Sequence, residues 1–161
     1  MLKAMEEVMF RHILTATDGS DWALRGVTVA FDMAKALEAR LTVVHASESY
    51  SSYFYAEEFS FRDREDEARL ALSTRADSIF ADLKPLAETR CVNPEFVYVP
   101  DSAPAVAIYE KAEDLDCDLI VIGSRGRRGL TKLLLGSQAA EVLAGTKLPV
   151  LIVNNPEIFL R

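Results

Sequence analysis

Residues 119–138 read LIVIGSRGRRGLTKLLLGSQ, and this stretch combines three kinds of pattern in twenty positions. It begins with an apolar, β-branched run that is typical of a parallel strand buried on both faces. A glycine-rich and basic segment follows, and the apolar spacing of a helix begins after it. The stretch therefore predicts a strand, a loop with unusual backbone freedom and a helix start. The loop and helix start share the spacing Gly123-x2-Gly126-x9-Gly136-Ser137.

The same alternation of strand and helix patterns extends toward both ends of the chain. Short apolar runs predict five strands, at residues 12–16, 41–45, 95–99, 119–122 and 149–153. Apolar residues at three- and four-residue steps predict the four helices between them. The first helix begins at Ser20 or Asp21, the second covers residues 63–88, and the third begins near Pro104. Ser137 caps the fourth helix, which continues through Ala144 and is closed by Gly145. Strands that alternate with helices indicate an α/β fold: a doubly wound, five-stranded parallel sheet with helices on both faces.

Composition places the chain among ordinary globular proteins. It has 161 residues, a formal net charge of -7 and 50% hydrophobic residues, which together predict one folded domain over residues 1–161. Residues 1–10 form an N-terminal extension to it, and residues 48–62 form an aromatic-rich loop. Net acidity argues against a nucleic-acid partner. Glu6 and Glu7 are incompatible with a signal peptide, and no apolar run approaches the roughly 20 residues of a membrane span. We therefore expect a cytoplasmic protein that does not contact membranes.

Two loops of unusual composition leave the carboxyl ends of the first and fourth predicted strands, where doubly wound sheets bind ligands. In the second loop, Gly123 and Gly126 allow positive φ, so that successive N–H groups can converge on an anion. Gly136 and Ser137 add a hydroxyl and the positive end of a helix dipole. Arg125 is one of four cations between residues 119 and 140, a range without an acid. This loop suits a polyphosphate; the alternative is that its glycines only form turns.

The first loop, Thr17-Asp18-Gly19-Ser20, contributes a carboxylate. Asp18 repels phosphate but can accept hydrogen bonds from ribose hydroxyls or an adenine amino group. An acid for the nucleoside and a glycine loop for the phosphates are what a nucleotide site needs. The alternative is that Asp18 caps the helix that begins near Ser20. For His12 and His45, which lie at strand ends, a structural role is favoured over catalysis.

Other nucleotide motifs are absent from the sequence, which has neither GxxxxGK[ST] nor a GxGxxG after the first strand. Instead, the glycine spacing resembles the ATP-binding signature of the universal stress protein family. HILTATDGS at 12–20 and LTVVHA at 41–46 resemble the family's first two strands. The C-terminal half of the family is matched by DCDLIVIGSRGRRGLTKLLLGSQAAEVL at 116–143 and KLPVLIV at 147–153.

The resemblance implies a Rossmann-like sheet in the order 3-2-1-4-5 and a bound ATP, with Mg²⁺. It implies nucleoside contacts from Ala16, Thr17, Asp18, Ala46 and Ile122. The phosphates would be held by Gly123, Gly126, Gly136, Ser137 and Gln138, with Arg125 in the same loop. It also implies a homodimer that pairs the last strand, Val150, Leu151, Ile152 and Val153, which is otherwise an unpaired sheet edge. The loop at 48–62 lies where the family varies in length. It either forms a lid over the base of the nucleotide or, as we favour, packs its aromatic rings on the sheet edge or across the dimer.

Three functions are compatible with these residues. The favoured one is an ATP-binding regulatory protein of the stress response, with no catalytic residue and no protein-bound metal site. The second is a slow ATPase or autophosphorylating protein with Ser137, Thr17 or Ser124 as acceptor. The third is a dimeric scaffold that binds no nucleotide.

Overall fold

The computed structural model describes residues 9–48, 61–125 and 135–154, with only the backbone at 61–64. Strands and helices alternate along the chain as predicted. The five strands are β1 (His12–Ala16), β2 (Arg40–Ala46), β3 (Glu95–Val99), β4 (Leu119–Gly123) and β5 (Val150–Val153). The four helices are α1 (Asp21–Leu37), α2 (Phe61–Arg90), α3 (Pro104–Asp114) and α4 (Ser137–Gly145). Most of the predicted extension at 1–10 and of the loop at 48–62 lies outside the described residues.

The strands form one sheet in the order β3-β2-β1-β4-β5, and every pair is parallel. This confirms the predicted architecture and strand order. β1 is central, so Ile13 pairs with Leu41 on one side and with Leu119 on the other. All three side chains are buried, which explains why the inner strands are nearly continuous apolar runs.

Each face of the sheet has its own hydrophobic core. On one face α1 and α2 pack against the strands through residues such as Val27, Phe31 and Leu83. On the other face α3 and α4 pack through residues such as Ile108 and Val142. Helices therefore cover both faces, as the doubly wound fold requires.

Two glycines allow α1 to lie directly on β4. A Cβ atom on Gly26 would come within 2.5 Å of the backbone nitrogen of Gly123, and a Cβ on Gly123 would come within 2.4 Å of the Trp22 carbonyl oxygen. The expectation that Gly123 provides positive φ is wrong, because Gly19 is the only glycine with positive φ among the described residues. Gly123 is needed for close helix–strand contact instead.

The ends of α4 differ from the prediction by one residue each. Gly136 rather than Ser137 is the N-cap, and Ser137 is the first helical residue. Gly145 does not close the helix in a left-handed conformation; it is the last helical residue, and Thr146 follows with extended backbone. A Cβ at Gly145 would lie 2.5 Å from the Tyr109 ring, so this glycine allows α4 to pack against α3.

The helix predicted at 63–88 extends to Phe61–Arg90 and continues through Pro85. Both cysteines are free, as expected, and burial raises the pKa of the Cys117 thiol to about 12. Over the described parts of the chain, no helix is long and apolar enough to cross a membrane.

Candidate functional site

The strand order reverses between β1 and β4, which are adjacent and in register at Thr15 and Val121. In doubly wound sheets this switch point opens a crevice at the carboxyl ends of the two strands. The two loops of unusual composition begin here, because one follows Ala16 and the other follows Ile122. The fold therefore brings together the two loops that the sequence analysis singled out.

Local hydrogen bonds shape the loop after β1. The Oγ1 atom of Thr17 accepts from the N–H of Gly19 at 3.1 Å, and Oδ1 of Asp18 accepts from the N–H of Ser20 at 2.9 Å. Ser20 is the N-cap of α1, and its hydroxyl accepts from Ala23 N–H at 3.2 Å. The alternative in which Asp18 caps this helix is therefore wrong. Asp18 instead forms a turn just before the cap.

His45 supports the same loop from the neighbouring strand. Its Nδ1–H donates to the Thr17 carbonyl oxygen at 2.8 Å, because a carbonyl can only accept. The imidazole is 3% exposed; it stacks on Tyr98 with ring centroids 6.0 Å apart, and Phe80 meets it edge-on. The predicted structural role is confirmed. The position of His45 near the end of β2, the strand beside β1, is the sequence feature that points to this hydrogen bond with the loop after β1.

Ser124, the residue that follows β4, connects that strand with β5 and with the start of α4. Its N–H donates to Val153 of β5 at 2.9 Å, and its carbonyl accepts from Gly136 N–H at 2.7 Å. Its hydroxyl donates to Asn154 Oδ1 at 3.3 Å. The residue has no exposed surface. Ser124 therefore holds the start of α4 against the end of β4, a role that the sequence analysis did not anticipate.

The first turn of α4 lies directly on this loop. A Cβ on Gly136 would come within 3.0 Å of the Ser124 carbonyl oxygen, so a side chain at this position would push the helix start away. Ser137 is exposed. Gln138 Oε1 accepts from the N–H of Ala105 at 3.0 Å and so caps α3, whose N-cap Ala103 has no hydrogen-bonding side chain. The Gln138 oxygen therefore joins the two helices.

Arg125 packs on an aromatic ring of α1. Its guanidinium carbon lies 4.8 Å from the centroid of Trp22, and the guanidinium carbon of Arg25 lies 4.3 Å from the same centroid. Trp22 is the only tryptophan of the chain. Neither arginine forms an ion pair with any residue that the structure describes. This Arg25–Trp22–Arg125 cluster places two cations beside the second loop.

The remaining predicted residues occupy two environments. Ala16 and Ala46 are partly buried at the ends of their strands, whereas Ile122 is 5% exposed and belongs to the core beneath α3 and α4. Gly126 lies outside the described residues. The described residues contain no cluster of histidine, cysteine and acidic side chains suited to a metal ion. Nucleotide contact by the predicted residues stays a prediction.

A separate cleft of about 410 Å³ lies between α2 and the end of β3. Its lining shares no residue with the predicted site and comprises Arg69, Leu70, Leu72, Ser73, Tyr98, Pro100 and Asp101. Arg69 bridges it through an ion pair with Asp101 at 3.4 Å. No sequence motif marks this cleft, because its residues come from α2, from β3 and from the turn after β3.

Comparison with known proteins agrees with the fold and the motif spacing. The sequence model of the Universal stress protein family matches residues 9–154. A universal stress protein from Thermus aquaticus is 39% identical over 146 residues, which cover 91% of this chain and all of that protein. The chain belongs to the universal stress protein family.

Solved structures of the family have the same fold. A universal stress protein in complex with cAMP is 26% identical, covers 91% of this chain and 98% of its own, and superposes with a TM-score of 0.67. A family member from Arabidopsis thaliana with AMP bound is 17% identical, covers 91% of this chain and 93% of its own, and has a TM-score of 0.60.

Proposed function

We propose that this chain binds ATP, with Mg²⁺, in the crevice between β1 and β4 and acts as a nucleotide-dependent regulatory protein of the stress response. The observation that carries the proposal is that the Asp18 turn follows β1, while the start of α4 at Gly136 is hydrogen-bonded to Ser124, which follows the neighbouring strand β4. One loop offers a carboxylate for hydroxyl and amino groups, and the other offers helix N–H groups for phosphate.

The residues present fit such a ligand. Ser137 is exposed in the first turn of α4, where backbone N–H groups have no partner within the helix. Arg125 adds a positive charge, and its buried Nε has no hydrogen-bond partner among the residues that the structure describes. When bound, ATP with Mg²⁺ would supply an adenosine for the Asp18 side of the crevice and phosphates for the Ser137 side. The cAMP complex of the 26% identical family member supports an adenine nucleotide as the class of ligand.

The regulatory proposal includes a cytoplasmic homodimer formed through β5. Leu151 is 38% exposed on this strand, which pairs with β4 alone among the described strands. Because Ser124 bonds both β5 and the start of α4, a ligand at α4 has a direct path to the proposed dimer edge. This connection lets nucleotide occupancy act on the dimer.

Autophosphorylation is the second candidate function, and the solvent exposure of the three possible acceptor residues leaves one of them. Thr17 is 7% exposed and Ser124 is 0% exposed, and both hydroxyls already take part in hydrogen bonds. Ser137 is exposed. If the chain transfers phosphate to itself, we expect labelled ATP to modify Ser137, and Ser137→Ala to abolish the label.

Nucleotide binding is tested by denaturing extraction of the purified protein and by calorimetric titration with ATP and Mg²⁺. Asp18→Asn retains the oxygen that accepts from Ser20 N–H but removes the charge, so the turn persists while charge-assisted bonds to the nucleoside are lost. We expect affinity to fall about tenfold, corresponding to about 1.4 kcal/mol.

Asp21→Asn is the matched control, because Asp21 is an exposed acid three residues further on, in the first turn of α1. Its affinity should equal that of the wild type. Equal affinities for all three proteins would place the ligand elsewhere. An empty extract together with no ATP binding would favour the scaffold that binds no nucleotide.

A further inference from the structure

The Arg25–Trp22–Arg125 cluster contains two cations on one indole ring without a described counter-charge. Arg25 lies on α1 one turn after Trp22, and Arg125 follows β4. An acid four residues before Arg25 is available in Asp21, yet no ion pair forms between them. Cation–π contact with the ring holds each guanidinium in place.

Each guanidinium also has a buried donor without a hydrogen bond to any described residue. These donors are the Nη1 atom of Arg25 and the Nε atom of Arg125, and both are inaccessible to solvent. A buried donor without an acceptor is unfavourable, and more so if it is charged. Both guanidinium charges therefore lie without a compensating group among the described residues, and a polyphosphate beside the ring would supply the missing negative charge.

The cluster lies beside the helix start that the proposed function assigns to the phosphates. A Cβ on Gly136 would come within 3.3 Å of the Arg125 Cα, and the Trp22 carbonyl lies against Gly123. Arg125 is therefore close to the first turn of α4, and Trp22 lies against the end of β4 that precedes it. Two planar guanidinium groups match phosphate oxygens, each through paired N–H donors.

We propose that Arg25 and Arg125, held on Trp22, form a subsite for the terminal phosphates of the nucleotide, so that the chain selects triphosphate over monophosphate. This inference rests on the proposed function, which concerns nucleotide binding in general. It adds two residues of α1, Trp22 and Arg25, that lie outside the glycine motif.

The test compares ATP, AMP and inorganic tripolyphosphate on the wild type and on Arg25→Gln. Calorimetry gives the affinities, and the emission of Trp22, the only tryptophan, reports on the cluster itself. We expect Arg25→Gln to weaken ATP about tenfold and to leave AMP unchanged. Arg25→Lys keeps the positive charge but lacks the planar guanidinium, so its affinity for ATP should lie between those of the wild type and Arg25→Gln.

Arg75→Gln is the control, since Arg75 is an exposed cation on α2 and its loss changes net charge equally. It should bind ATP like the wild type. Thermal unfolding of every variant verifies that it is folded.

The outcomes separate the two proposals. If wild type and Arg25→Gln bind both nucleotides with equal affinity, or if ATP and AMP weaken together, the subsite is wrong while nucleotide binding stands. If no nucleotide binds the wild type, the proposed function is wrong, and the titration with tripolyphosphate then tests whether the cluster binds an anion. A change of Trp22 emission in the wild type but not in Arg25→Gln then supports an anion site, and unchanged emission overturns it.

Discussion

His12 shows how a single residue joins elements that are distant in the sequence. Its Nδ1 lies 2.8 Å from a guanidinium nitrogen of Arg40, which can only donate, and 3.0 Å from the Leu115 carbonyl oxygen, which can only accept. Its Nε2 lies within hydrogen-bond distance of Thr42 Oγ1, at 2.9 Å. The backbone N–H of His12 donates to the carboxylate of Asp118 at 3.0 Å. The network connects β1, β2, the end of α3 and the segment before β4, and burial together with the Arg40 charge favours an uncharged imidazole.

The first prediction concerns acid stability. Burial and the neighbouring Arg40 lower the pKa of His12 below its ordinary value of 6.5, although the contact with the Leu115 carbonyl and the nearby carboxylates of Asp118 and Glu95 oppose this. The unfolded chain then binds more protons than the folded chain below about pH 6.5, so stability falls as pH decreases. We expect His12→Gln to reduce the slope of unfolding free energy between pH 7 and 5, by at most about 1.4 kcal/mol per pH unit.

Urea denaturation at each pH measures this slope for both proteins. The variant should be less stable than the wild type at pH 7.5, because the ring's hydrogen bonds are lost, and the difference should shrink toward pH 5. Parallel curves over this range would show that His12 does not titrate between the folded and unfolded states.

At the scale of elements, the contact between α1 and β4 controls the geometry of the crevice. Gly26→Ala replaces a poor helix former by the best one, which by itself favours the helix by about 1 kcal/mol. However, the added Cβ would lie 2.5 Å from a backbone nitrogen of β4, which cannot move without shifting the strand. We expect the clash to exceed the propensity gain and to destabilise the fold by about 1–3 kcal/mol, measured by chemical denaturation.

Gly145→Ala is the control with an equally short distance but a different neighbour. Its Cβ would meet the ring of Tyr109, a partly exposed side chain that can rotate away. Its loss of stability should therefore be smaller than that of Gly26→Ala. If Gly26→Ala were as stable as the wild type, α1 and β4 would not be in the close contact described.

Elements were the level at which periodicity was most informative. The strand Glu95–Val99 and the start of α3 at Pro104 were predicted without error, because both are bounded by turn residues in the sequence. The predicted ends of α4 differ by one residue each, because a serine hydroxyl and the backbone freedom of glycine indicate caps, whereas Gly136 and Gly145 lie against neighbouring elements. In a sequence, a glycine that allows close packing between elements looks the same as a glycine that forms a turn.

At the scale of the whole molecule, the edge of β5 that no described strand pairs with bears on assembly. Leu151 is 38% exposed on this strand, and a lysine on an exposed strand discourages edge pairing. If the proposed dimer forms through β5, Leu151→Lys should convert it to a monomer in light scattering coupled to gel filtration. Leu70→Lys, at a leucine 68% exposed on α2, should leave the dimer unchanged. A dimer that persists in Leu151→Lys would place the interface on another surface.

The sequence alone determined which segments are strands and helices, that they alternate, and that the basic glycine segment follows the fourth strand. These follow from local periodicity, because a buried face requires apolar residues at fixed spacing along its own segment. The strand order came from the family resemblance and was confirmed by the sheet. Only the tertiary structure decided that Gly26 meets Gly123, that His45 supports the Asp18 turn, and that Ser124 and Gln138 hold α4. Each of these contacts joins different elements of the fold, and local spacing carries no information about such pairs.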